Sequence, residues 1–430
     1  MQLFTHLDSV WSDSSDPFLV GVESPLAFSD VKQSSIGHLS QITRGDVVAV
    51  IGDFDSVSIS NLLFLIDLGA IVVPLSPLTR NDHEYFFESA LVDTVVEGTT
   101  VTSRKHEKTH ELIEFLRSEG DGGLVLFSTG TTGRPKAILH NMTTFLKRFE
   151  TPRPALRTIN FLMFDHIGGI NTLLHTLFNR GVVVATKNRS VEDVLEAIGK
   201  FKVEVLPTTP TFLRMMLISG LVPDSIPGSL KVITYGTERM DQITLIELAS
   251  HLPWVDFRQT FGMSELGILR VKSKSRDSLF MKIGGEGVVT RIVDGILEIK
   301  SDTRMLGYLN AESPFDADGW YNTHDKVVQD GVFIKVVGRD TEVINVGGLK
   351  FMASEVELAS LEFPGVEMAS VTAASNPLTG QHCEVLIQSS STTFDVDEFK
   401  SFLKNRLPSH MQPRRITLGA ISVGHRFKRS

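Results

Sequence analysis

The sequence holds a single cysteine, Cys383, among 430 residues. One thiol closes no internal disulfide and builds no multi-cysteine zinc site, so a secreted disulfide scaffold does not fit and a reducing compartment does. Runs of five or six basic residues are missing, and 42 Lys and Arg against 51 Asp and Glu leave a formal net charge of −9. A surface made for nucleic acid or anionic membrane needs clustered cations to meet phosphate charge, so small molecules are the expected partners. No apolar stretch reaches the roughly 18–20 residues that a membrane helix requires. The longest candidate, the Leu62 to Pro74 region, reads as buried strand or helix. The first residues carry acidic side chains early and no basic region followed by a long apolar one, so no signal peptide is expected. A soluble, cytoplasmic protein is the expectation. Internal repeats and long low-complexity tracts are also lacking, and Ser389 to Thr393 is only a short polar loop.

What is present is an ordinary globular balance, 42% hydrophobic and 22% charged. At about 100–200 residues per domain the length suggests two to four structural units. Short β-branched runs at Val47 to Ile51, Ala70 to Pro74, Leu124 to Phe127, Val182 to Ala185, Val203 to Leu206 and Lys231 to Thr234 read as strands. Between them Ser58 to Asp67, Thr143 to Phe149, Gly169 to Phe178, Val191 to Phe201 and Pro210 to Ser219 carry apolar residues at helical spacing. This alternation predicts an α/β domain of the doubly wound kind. After about Gly284 the pattern changes to short strands separated by Gly/Asp turns, at Gly287 to Ile292, Gly295 to Ile299 and Val332 to Val337, as in an antiparallel sheet. From about Thr341 onward, helices at Ser354 to Ser360 and Val396 to Leu407 with strands at Val366 to Thr372 and His382 to Gln388 predict a small α+β unit.

The strongest local signal is Leu124-Val-Leu-Phe-Ser-Thr-Gly-Thr-Thr-Gly-Arg-Pro-Lys136. A buried strand runs into a loop with Gly130 and Gly133, the hydroxyls of Ser128, Thr129, Thr131 and Thr132, and a terminal lysine. Glycine lets the backbone approach closely, hydroxyls and amides donate to phosphate oxygens, and Lys136 supplies charge. Such a loop suits a triphosphate. It is not a Walker A loop, because the glycines are too close together, Pro135 precedes the lysine and Ala137 takes the place of the metal-binding Ser or Thr.

That string resembles the signature loop of the adenylate-forming superfamily, which includes acyl-CoA synthetases, aryl-acid ligases, adenylation domains and luciferases. Further segments follow in the same order. Arg44-Gly-Asp-Val-Val-Ala-Val50 and Leu68-Gly-Ala-Ile-Val-Val-Pro-Leu75 resemble its N-terminal region. Thr234-Tyr-Gly-Thr-Glu-Arg-Met240 resembles its adenine-binding loop, and Gln259-Thr-Phe-Gly-Met-Ser-Glu265 its second nucleotide motif. Gly319-Trp-Tyr-Asn-Thr-His-Asp325 and the stretch from Gly338-Arg339 through Val346-Gly-Gly348 to Glu355 resemble its hinge region. The resemblance implies an ANL fold: an N-terminal ATP- and acid-binding domain over 1–339, built from doubly wound α/β sheets and a small β-barrel-like subdomain, and a small mobile α+β lid over 340–430.

It also implies the reaction. ATP activates a carboxylate to an acyl-adenylate with release of pyrophosphate, and a thiol then displaces AMP; CoA is the expected acceptor and a carrier protein the alternative. A non-catalytic adenylate-binding relative is the reading from another class. Charge develops on the phosphates, so catalysis should rest on electrostatic stabilisation and positioning. Carried onto this sequence, Ser128, Thr129, Gly130, Thr131, Thr132, Gly133 and Lys136 hold pyrophosphate, and Glu265 binds Mg2+ with Ser264 and Thr132 near the phosphates. Gly236, Thr237 and Glu238 line the adenine edge, Phe261 stacks on its face beside Gly262 and Met263, and Asp325 with Arg339 serves the ribose. His166, in Phe164-Asp-His-Ile-Gly-Gly169, is expected at the carboxylate pocket with Phe164, Gly168, Tyr235 and Gly262, or as a gate to the thiol tunnel. An amino-acid substrate is disfavoured because the aspartate that would bind its amino group aligns with His166, although Asp165 is one residue away. The C-terminal catalytic lysine is assigned to Lys428, with His425 as the alternative, in an ending where Phe427 replaces the usual glycine and Ser422 the usual proline. The pivot falls at Thr341 beside Asp340, and Gly347, Gly348 and Lys350 belong to the thiol-facing loop.

Overall fold

Five consecutive apolar residues, Val47–Ile51, form a strand buried at every position, and Ile71–Leu75 pairs with it in parallel from Val47↔Ile71 to Ile51↔Leu75. A strand covered on both faces has no polar side to present, which is why both read as unbroken apolar runs. The helix between them, Ser56–Leu68, starts where Asp55 accepts from the amides of Val57 and Ser58 and stops at Gly69, whose φ is 82°. A carboxylate at the cap satisfies orphan amides, and glycine enters the left-handed region at no steric cost. The computed structural model describes residues 3–12, 15–33, 36–104, 106, 108–128, 133–186, 188–391 and 393–428.

Two seven-stranded sheets carry the first part of the chain. One runs Gly307–Tyr308, Ala137–Asn141, Gly123–Phe127, Ile71–Leu75, Val47–Ile51, Thr94–Glu97 and Thr100–Ser103. The other runs Asp256–Gln259, Val232–Tyr235, Val205–Thr208, Arg157–Ile159, Val182–Val184, Pro17–Val20 and Leu26–Ala27, parallel except at its last strand. Helices cover them, as the alternating pattern required. Leu62, Phe145, Phe164 and Leu173 lie in one core, and Leu206, Phe212, Ile233, Tyr235 and Phe257 in another.

A third sheet is antiparallel and begins at Phe261–Met263, well before the expected change at Gly284. Its central hairpin joins Tyr321–Asp330 to Phe333–Arg339. The turn Asp340–Glu342 leads into a last sheet of Val343–Val346, Leu349–Met352, Met368–Asn376, Gly380–Gln388 and Arg415–Leu418. This segment has its own core of Val356, Phe363, Ile387 and Phe399. Phe427 is not part of that core. It packs instead against the Phe212 and Ile233 core of the earlier sheet. The expected helix from Val396 to Leu407 ends at Lys404, and the expected strand from Val203 spans Val205–Thr208.

Candidate active site

The segment before Ile167–Phe178 turns sharply, and His166 caps that helix, its Nδ1 accepting from the Gly168 amide at 3.0 Å. An accepting Nδ1 places the ring hydrogen on Nε2. Burial, then the charges of Lys428 and Arg426, hold the imidazole well below its usual pKa, so it is neutral. Phe164 is fully buried beside Phe54 (5.5 Å between ring centres) and belongs to the core behind the cleft.

Across the cleft, Gly236 and Thr237 follow the strand Val232–Tyr235. A Cβ at Gly236 would lie 2.2 Å from Thr260 Oγ1, so only glycine lets the two segments meet. Thr237 has a φ of 72° and a buried hydroxyl without a partner. Glu238 turns back to accept from the Thr211 amide at 2.7 Å, a bond the adenine-edge reading did not anticipate. Tyr235 is 1% exposed within the Ile233 and Phe257 core, and its hydroxyl has no partner.

Lys428 closes this cleft. It lines a small pocket with Phe161, Met163, His166, Thr237, Arg426 and Phe427, and His425 does not line it. Burial pushes its ammonium pKa down to about 8, assisted by Arg426 and Arg339 and opposed by Glu238. Arg426, two residues earlier, pairs with Asp165 at 3.0 Å in a setting where both side chains are nearly inaccessible.

A second group of residues meets under the phosphate loop. Glu265 is buried, and the Tyr308 hydroxyl donates to its Oε1 at 2.8 Å. Lys136 Nζ lies 4.8 Å above the Tyr308 ring, so one tyrosine links the loop lysine to the expected metal carboxylate. Ser128 Oγ accepts from the Lys136 amide at 3.0 Å and closes the loop's base. A Cβ added at Gly133 would meet nothing within 4 Å among the described residues. Thr129, Gly130, Thr131 and Thr132 lie outside the described residues. Ser264 offers its carbonyl to His140 Nε2 at 2.6 Å, and Phe261 and Met263 are half-buried against the third sheet's core. Gly262 sits where a Cβ would be 2.5 Å from the Gly267 carbonyl.

Asp325 and Arg339 are directly opposite in the antiparallel hairpin, which explains their fourteen-residue spacing, and Arg339 Nε lies 3.5 Å from Asp325 Oδ1. Burial raises the Asp325 pKa to about 6 despite the arginine. Its carboxylate is therefore charged only above that value. If it accepts from ribose hydroxyls, the KM for ATP rises as pH falls through about 6, and Asp325→Asn removes that pH dependence; steady-state titration between pH 5 and 8 measures both.

The structure does not bring Gly347, Gly348 or Lys350 to the cleft. The two glycines, at φ of 60° and 89°, form the tip of a hairpin, Asn345 Oδ1 accepts from the Gly348 amide at 3.0 Å, and Lys350 is exposed on its second strand. The sequence pattern gives no site role to Tyr308 or Arg426, and it raises Asp165 only as an alternative contact for a substrate amino group. Tyr308 is one of only four tyrosines, but no motif spacing marks it. Among the described residues no cluster of three or more His, Cys, Asp or Glu could hold a metal by itself. Mg2+ commonly takes one or two carboxylates and completes its shell with substrate phosphates and water, so Glu265 with its second oxygen fits that donor set.

The layered sheets, antiparallel sheet and C-terminal α+β unit have the fold of adenylate-forming enzymes. A crystal structure of the anthranilate CoA ligase AuaEII in complex with anthranoyl-AMP superposes with a TM-score of 0.81 at 16% identity, over 100% of this chain and 95% of that one. Residues 94–295 match the family model described as AMP-binding enzyme. The 4-coumarate–CoA ligase-like 6 of Arabidopsis thaliana is 22% identical over 480 residues, covering 96% of this chain and 85% of that protein. The medium/long-chain-fatty-acid–[acyl-carrier-protein] ligase FadD10 of Mycobacterium tuberculosis is 26% identical over 398 residues, covering 76% and 73%. Residues 94–295 are thus similar to AMP-binding enzymes, and the chain as a whole has the fold of adenylate-forming ones. No helix among the described residues is long and apolar enough to cross a membrane.

Proposed function

We propose that this enzyme activates a carboxylic acid with ATP and transfers the acyl group to a thiol, with CoA the favoured acceptor. In the first step a carboxylate oxygen attacks the α-phosphorus, and the bond to pyrophosphate breaks. In the second, the thiol sulfur attacks the acyl carbon, the thiol proton is lost and AMP leaves. The observation that carries this reading is Lys428, half-buried in a small pocket that His166 and Thr237 also line. A cation held there stabilises the charge shared between carboxylate and α-phosphate, in a dry setting where one ammonium counts for more than in water.

The other roles are those the family resemblance implies. Ser128, Gly133 and Lys136, together with Thr129, Gly130, Thr131 and Thr132, hold the leaving pyrophosphate. Glu265 holds Mg2+, which would neutralise phosphate charge when bound, and Tyr308 fixes the orientation of that carboxylate. Gly236, Thr237 and Phe261 receive adenine, and Asp325 and Arg339 the ribose. His166 contributes a neutral ring to the acid pocket, beside Gly168 and Gly262. Arg426 already balances the charge of Asp165 through Oδ2, leaving only Oδ1 without a partner, so an amino acid's ammonium would have to compete with a guanidinium there. This favours a small aryl or medium acyl acid.

The division at 1–339 and 340–430 is supported by the separate core around Val356 and Phe399. With Lys428 in the cleft and the Gly347–Gly348 hairpin away from it, the arrangement corresponds to the adenylation half-reaction, and rotation about Asp340 and Thr341 would bring the hairpin to the thiol. A soluble, cytoplasmic setting agrees with the lone, buried Cys383. Pyrophosphate release over aliphatic, aryl and amino acids, with and without CoA, tests the assignment. An acyl or aryl acid is expected to release pyrophosphate and to form a thioester once CoA is added. Release with amino acids alone overturns the acyl reading, and thioester formation only on a carrier protein replaces CoA as acceptor.

A further inference from the structure

Residues after Ile421 depart from the pattern expected there, most sharply at Phe427, yet they are docked at three separate points. Arg426 Nη2 donates to Asp165 Oδ2 at 3.0 Å, and the two side chains are 11% and 4% exposed. Thr209 Oγ1 donates to the Phe427 carbonyl at 2.7 Å while accepting from the Phe212 amide at 3.1 Å, so one hydroxyl ties the tail to the start of the helix Pro210–Ile218. The Phe427 ring sits 4.9 Å from Phe161 and 5.8 Å from Phe212, at right angles to the latter. Phe427 adopts a φ of 54°, a conformation unfavourable for a bulky residue and sustained only where its surroundings hold it. The amide of Gly424 donates to the Lys428 carbonyl at 2.9 Å and closes the turn.

We propose that Arg426 and Phe427, received by Asp165 and Thr209, form a latch that positions Lys428 for adenylation and releases it for the thiol step. The proposal rests on the reading of Lys428 given above. None of the four residues is assigned a contact with the reacting atoms; each acts through the lysine. A tail of this length has many conformations in solution, and a lysine on it reaches one point in space only when neighbouring residues are anchored. A glycine at position 427 leaves the chain free, whereas phenylalanine buries a ring in a core that belongs to the opposite part of the molecule. Asp165 adjoins His166, so the same short segment that lines the acid pocket also receives the latch. Besides Arg426, the charged and titratable groups facing Lys428 are Glu238, Arg339 and His166.

The test measures the two half-reactions separately on the full chain. Pyrophosphate release reports adenylation, and transfer from synthetic acyl-adenylate to CoA reports the second step. Lys428→Ala serves as the reference. Arg426→Gln and Phe427→Gly are each expected to lower adenylation kcat about tenfold or more, the scale of losing a charge-assisted buried contact, with little change in KM or in transfer. The alkaline limb of the adenylation pH profile, near 8 in the parent, should move up toward the ordinary lysine value as Lys428 becomes solvated. Arg426→Gln and Asp165→Asn should not add when combined, since they break one pair. Thr209→Ser should retain activity that Thr209→Val loses, with thermal melting confirming that both fold.

Parent-like adenylation in Arg426→Gln and Phe427→Gly, alongside a disabled Lys428→Ala, overturns the latch and leaves the lysine assignment standing. Equal loss in both half-reactions makes these residues merely structural and overturns it as well. Parent-like adenylation in Lys428→Ala overturns both the latch and the role given to that lysine.

Discussion

Lys428→Ala is expected to reduce acyl-adenylate formation about 10²–10³-fold, the range seen when one preorganised electrostatic donor is removed from a reacting centre. The side chain is half-buried in the pocket that His166 and Thr237 also line, and the other tail cation lining it, Arg426, is already paired with Asp165. Transfer of a preformed adenylate to the thiol should be nearly unchanged, because the proposal gives the lysine a role in the first step alone. The parent profile carries its own signature. The ammonium is the working form and its pKa is pushed down to about 8, so adenylation declines as pH rises through that value, well before an exposed lysine would titrate. Rapid-quench measurement of acyl-adenylate between pH 6.5 and 9.5 reads both effects. An unchanged rate in the variant moves the catalytic cation to another residue, with His425 the first alternative.

Glu265→Gln is the second large effect. The carboxylate is buried and accepts from Tyr308, whose ring also lies under Lys136, so one tyrosine touches both the loop lysine and the carboxylate proposed to hold Mg2+. The amide keeps an acceptor for the tyrosine and loses the charge. The expected outcome is a fall in kcat/KM for ATP of about 10²–10³-fold, with activity recovering in part at elevated Mg2+. Tyr308→Phe removes a single hydrogen bond and should cost about two- to tenfold. A Glu265→Gln variant with parent Mg2+ dependence contradicts the metal assignment. A Tyr308→Phe variant as impaired as Glu265→Gln would make the tyrosine more than an orienting group.

The parts of this molecule that were readable in the sequence are those fixed by local chemistry. Val47–Ile51 and Val191–Phe201 fall where their apolar patterns place them. The fourteen-residue interval between Asp325 and Arg339 is a hairpin register, and two motif residues at that distance meet across it. Local patterning was weaker elsewhere. The helix Glu111–Glu119 and the strand Ala137–Asn141 lie in stretches whose apolar signal is short or interrupted by polar residues, and neither was expected.

The site divides along the same line. Motif residues such as Lys136, Glu265 and Asp325 could be named because each sits in a distinctive string. Asp165 and Arg426 are separated by 261 positions, and no periodicity encodes such a pairing. Glu238 looked like an adenine contact, but it also accepts from the Thr211 amide, a role visible only after two strands are laid side by side. Phe427 read as a departure from an expected glycine. Its meaning emerges from the core it enters, between Phe161 and Phe212, which is built from residues more than two hundred positions earlier.

The central claim, activation of an acid through its adenylate, is tested most directly by acid-dependent exchange of labelled pyrophosphate into ATP without any thiol present. The account predicts exchange that requires a carboxylic acid, continues in the absence of CoA and collapses in Lys428→Ala. Acid-dependent release of ADP and inorganic phosphate, with no label entering ATP, would contradict it.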